Sequence, residues 1–121
     1  MPRIQYCREW IGQFTEENDL LQMNFRRALA ESYLRQGEGA RGKEILDQII
    51  EWWPDEIGGY LALADAYSHF FDDTALPKNY DRAIAILEEG LAKAKIKQKD
   101  RQILKDRIEE IRVLKLQEGA Q

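Results

Sequence analysis

The chain has 121 residues, 44% hydrophobic and 33% charged, with three prolines and a single cysteine. This balance fits one globular domain and excludes a disordered chain, and the lone Cys7 excludes an internal disulfide. The formal charge of −4 is unevenly spread: residues 1–92 carry 17 acidic against 9 basic side chains, and residues 93–121 carry 9 basic against 5 acidic.

Six helices are predicted. Residues 3–14 place Tyr6, Trp10, Ile11 and Phe14 on one helical stripe, and Cys7 reads as a small core residue among them. The run TEEND reads as a polar break, with capping candidates at Thr15, Asn18 and Asp19. A second helix runs to about Gln36 and is ended by Gly37. A third covers 40–53 with Ile45, Leu46, Ile49, Ile50 and Trp53 in phase, and Pro54 stops it. A fourth spans about 57–70. A fifth spans about 79–94, with Tyr80, Ala83, Ile84, Leu87 and Leu91 inward. A sixth spans about 99–117, with Ile103, Leu104, Ile108, Ile111 and Leu114 apolar. No stretch alternates with period two, and most connections are short enough to make neighbouring helices antiparallel.

The chain repeats itself. Residues 29–33 read LAESY and residues 63–67 read LADAY, 34 residues later. Small residues at Ala30, Ala64, Gly42 and Ala83 let helix axes approach, while Tyr33 and Tyr67 fill the gap to the next helix. A two-helix unit cannot bury its apolar face alone, so such units stack.

This pattern resembles the tetratricopeptide repeat (TPR). The first unit supplies Leu29, Ala30, Tyr33, Gly42, Leu46 and the closing Pro54. The second supplies Tyr60, Leu63, Ala64, Tyr67, Ala83 and Leu87. It departs from the pattern at Arg26, Gly39 and Lys95, and by seven extra residues within SHFFDDTALPKN. The run MNFRRALAESY with WWPDEIGGYLALADAY is also similar to the TPR-like region of bacterial proteins that carry a Cys-rich SEC-C segment; that segment is not in this sequence. The resemblance implies an all-α, right-handed α-α superhelix of about six antiparallel helices. Residues 1–18 would be a half-repeat, 23–54 the first repeat, 57–95 the second with its insert near 68–79, and 98–117 a capping helix.

The expected function is a non-catalytic protein–protein interaction scaffold. No catalytic, cofactor or metal site is expected: His69 is the sole histidine, no phosphate-binding Gly-rich loop occurs, and the carboxylate pairs Glu88–Glu89 and Glu109–Glu110 diverge around their helices. Asp72–Asp73 reads as a solvated loop. The resemblance puts the partner surface on the inner stripe: Asn24, Arg27, Glu31, Leu34 and Arg35, then Leu61, Asp65, Ser68 and His69. Ala28 and Ala62 replace the Asn residues with which TPR domains clamp a terminal carboxylate, which argues against that ligand. This groove is either open or filled by the chain's own last helix. A second candidate surface is aromatic: Trp52, Trp53, Phe70 and Phe71, unless the insert folds over Trp53.

Two further readings stand beside the scaffold. One is a module for nucleic acid or an acidic partner, using Lys93, Lys95, Lys97, Lys99, Arg101 and Lys105; the acidic first 92 residues weigh against nucleic acid. The other is an accessory subunit of a separately encoded enzyme. Self-association into a homo-oligomer is compatible with each. No run reaches the roughly 20 apolar residues of a membrane span, and no signal peptide is recognised, so the cytoplasm is the default expectation.

Overall fold

The computed structural model describes residues 16–93 and 95–119. Within them are five helices and no strand: α1 (Glu16–Arg35), α2 (Gly39–Trp52), α3 (Gly58–Ser68), α4 (Tyr80–Leu91) and α5 (Gln98–Gly119). Tyr6, Cys7, Trp10, Ile11 and Phe14 lie outside the described residues.

Each helix packs on its neighbours in the chain, and α1 also packs on α3. The first reversal is tight. Gly37 takes φ +87°, a left-handed conformation that costs a glycine nothing, and Glu38 N–H donates to Tyr33 O at 2.9 Å. The chain then doubles back so closely that a Cβ on Gly42 would stand 2.6 Å from Leu34 Cγ and 2.9 Å from Ala30 O. Glycine is therefore what allows α1 and α2 to touch.

The core collects Ala30, Leu34, Leu46, Ile49, Tyr60, Leu63, Ala64, Ala83, Leu87, Leu104, Ile108 and Ile111, all buried. Burying each large aliphatic contributes about 1.5–3 kcal/mol. The expected stripes of α2, α4 and α5 supply many of these residues. Ile45, Ile50, Tyr80, Ile84, Leu91 and Leu114 are half-buried, while Ile103 is exposed. Tyr60 is fully enclosed, and its hydroxyl donates to Pro54 O at 3.1 Å, closing the loop between α2 and α3.

Several boundaries differ from the sequence reading. The expected break after Thr15 is helical from Glu16, so Asn18 and Asp19 lie inside α1. Helix α3 stops at Ser68 because His69 turns left-handed at φ 52°, ψ 43°. Helix α4 stops at Leu91; the Arg101 guanidinium caps its end, donating to Leu91 O at 2.7 Å and Lys93 O at 2.8 Å.

Candidate functional site: a cavity between α1 and α3

Helices α1 and α3 carry the two copies of the repeated motif. Their facing sides leave a cavity of about 220 Å³. Leu34, Ala62 and Ala66 form its apolar floor, with Glu31 and Arg35 on the α1 side. Asp65 borders it from α3. The insert supplies the remaining wall with Phe71, Asp72 and Thr74. The small side chains of α3 create the space: a larger residue at 62 or 66 would fill it.

Asp65 is the electrostatic centre. It forms an ion pair and hydrogen bond with Arg107 of α5, and both side chains are largely buried. The Arg107 guanidinium also lies over Phe70, 4.2 Å from the ring centroid, and over Phe71 at 5.3 Å. Those two rings pack edge to face at 4.9 Å. Arg107 Nε stands 3.4 Å from Glu110 Oε1, an ionic contact without hydrogen-bond geometry. Burial pushes the Asp65 carboxyl above its ordinary value. The Arg107 hydrogen bond and charge oppose that rise, and the nearby Glu31 and Glu110 add to it.

The insert is a built strap. His69 Nε2–H donates to Leu76 O at 2.7 Å, and Nδ1 lies 3.3 Å from Asp73 Oδ1. Thr74 Oγ1 donates to Ala66 O at 2.9 Å and accepts from Leu76 N–H at 3.2 Å. Ala75 N–H reaches Leu34 O at 3.1 Å, and Asn79 N–H reaches Tyr67 O at 2.8 Å. The strap therefore crosses from the end of α3 to the end of α1 and back. Asn79 then caps α4, its side chain accepting from Arg82 N–H.

Among the inner-stripe residues expected from sequence, Glu31, Leu34, Arg35 and Asp65 converge on the cavity. The others do not line it. Asn24 is exposed. Arg27 is half-buried, with a guanidinium nitrogen 3.7 Å from where a Cβ on Gly58 would be. Leu61 packs against the core. Ser68 is buried and donates to Asp65 O, and His69 anchors the strap. The last helix reaches Asp65 at the edge of this groove through Arg107, and no described α5 residue lines the cavity itself.

The four aromatics form two separate pairs. Phe70 and Phe71 sit at the end of α3, with Phe71 71% exposed. Trp52 and Trp53 sit before α3, around a hollow shared with Asp19, Leu20, Lys95 and Lys97. Trp53 is 8% exposed, and no insert residue lines that hollow. Arg26 lies over Trp52 at 4.8 Å. Of the basic residues near α5, Lys95, Lys97, Lys99 and Lys105 are exposed and Lys93 is half-buried, while Arg101 is engaged as a helix cap.

The sequence reading missed Arg107, Thr74 and Leu76. Arg107 had a signal: it follows Leu104 by three residues and precedes Ile111 by four, so it stands on the buried stripe of α5 itself. Among the described residues, no helix is long and apolar enough to cross a membrane, and no three His, Cys, Asp or Glu side chains are placed to share a metal ion. Comparison with protein-family models, curated proteins and solved structures finds no match.

Proposed function

We propose that the chain is a TPR-like helical scaffold, a non-catalytic adaptor that holds a peptide segment of a protein partner between α1 and α3. The carrying observation is the open cavity lined by both motif-bearing helices, with Phe71 left exposed at its wall. Aromatic side chains, Phe among them, are enriched at protein interfaces, and Phe71 stands exposed beside this apolar floor. Support for the repeat reading comes from equivalent positions. Ala30 and Ala64 are 34 residues apart and both are fully buried, and the α1–α3 contact joins the two units.

The test is capture of partners from native lysate on the immobilised chain. Phe71→Ser and Glu31→Arg are compared with Arg112→Glu on the far side of α5. The expected result is a stoichiometric protein lost with the first two variants and kept with the third. A partner that survives both groove variants would remove the cavity from consideration.

A further inference from the structure

The cavity has a chemical preference, and the molecule already displays it. Glu31 and Asp72 line the hollow, and neither makes an ion pair among the described residues. Asp65 and Glu110 add negative charge behind them, both close enough to Arg107 for ionic contact. Arg35 is the one opposing cation among the described lining residues. The floor is apolar, and Phe71 presents a ring to solvent. Arg107 shows how this surface holds a guanidinium: a carboxylate takes the charge, and the aromatic pair takes the flat face. Glu31, Asp72 and the exposed part of Phe71 repeat that set of groups on the solvent side.

We propose that the partner enters the cavity with a basic side chain, Arg or Lys, flanked by apolar residues on an extended peptide. This rests on the reading of the groove as a peptide site. The aliphatic stem of such a residue lies along Leu34, Ala62 and Ala66, as long cationic side chains do on apolar surface, and its head reaches Glu31 and Asp72. An acidic ligand meets the opposite conditions: carboxylates on the wall, and a floor at Ala62 and Ala66 that donates no side-chain hydrogen bond.

The test uses three defined peptides, acetyl-Leu-Arg-Leu-Arg-Leu-amide and its counterparts with Gln or Glu in place of Arg. Each is titrated into the isotopically labelled chain and followed by backbone amide shifts. The expected result is that the basic peptide shifts the amides of Leu34, Ala66 and Phe71. Glu31→Gln/Asp72→Asn then weakens it by about tenfold. The Glu88→Gln/Glu89→Gln variant, with the same change in net charge on α4, leaves it unchanged. Equal weakening by both variants would reduce the effect to general attraction by an acidic protein and overturn the proposal. Groove shifts with the Gln or Glu peptide at equal or greater strength would overturn the basic preference and leave the groove reading standing. No groove shift with any of the three would remove both.

Discussion

Arg107 and Asp65 are 42 residues apart in sequence and form one ion pair, joining the last helix to the second copy of the repeated motif. Few other described side-chain contacts reach so far along the chain. Exposed pairs such as Lys115–Asp81 at 2.6 Å also link α5 to α4, but surface pairs contribute little to stability. The Arg107 pair is shielded by Phe70 and Phe71, so its loss is felt.

Removing Arg107 leaves the shielded Asp65 carboxylate without its counterion, beside Glu31 and Glu110. Arg107→Ala is expected to cost about 3 kcal/mol in urea unfolding at neutral pH. The double change Asp65→Leu/Arg107→Met is expected to cost less than Arg107→Ala alone, because it leaves no charge behind. An Arg107→Ala variant as stable as wild type would show that the pair is not formed in solution.

The raised Asp65 carboxyl gives a signed pH dependence. The unfolded chain ionises this group from its ordinary value near 3.8, while the folded chain holds the proton to higher pH. The folded state therefore binds more protons across that window, and stability falls as pH rises through it. The stability of wild type relative to Asp65→Asn should be greatest below the ordinary carboxylate value. It should decline as pH rises past it, measured by urea unfolding at several pH values. A relative stability that grows with pH would mean that the Arg107 charge outweighs burial.

The strap depends on one hydroxyl. Thr74→Val keeps the shape and removes the contacts to Ala66 O and Leu76 N–H, so it should cost about 1–2 kcal/mol. The Ala75 amide, bonded to Leu34 O in the wild type, should exchange with solvent faster. Unchanged exchange at Ala75 would show that the strap is held by His69 and Leu76 without it.

The α1–α2 contact depends on an absent methyl group. Gly42→Ala is expected to destabilise by about 1–3 kcal/mol, since the new Cβ meets Leu34 and Ala30 O. Leu34→Ala in the same chain should recover part of that loss, because the nearest atoms are those of Leu34. Thermal unfolding of the two singles and the double measures the coupling; strict additivity would contradict the contact.

Helix positions and spacing were legible because they rest on local periodicity. Leu46 and Ile49 fall in phase, Pro54 follows the end of α2, and the 34-residue interval places Ala30 and Ala64 in equivalent burial. The groove was legible in part, through Glu31, Leu34, Arg35 and Asp65. Its other half was not. Arg107 reads in sequence as one more charge on a charged helix, and only the packing of α5 reveals where its head goes. The insert was equally opaque, since His69 and Thr74 fold it through bonds to carbonyls that only the tertiary structure brings near. The two aromatic pairs looked like one surface because they flank α3 in sequence, yet that helix separates them.

The long reach of the Arg107 contact also sets an order of events during synthesis. The ribosome makes α3 well before α5, so the nascent groove holds Asp65 with no guanidinium until the last helix emerges. Until then the Asp65 carboxylate and the Phe70 and Phe71 rings lack the guanidinium that covers them in the full chain. The groove's charge balance is thus set last, by α5.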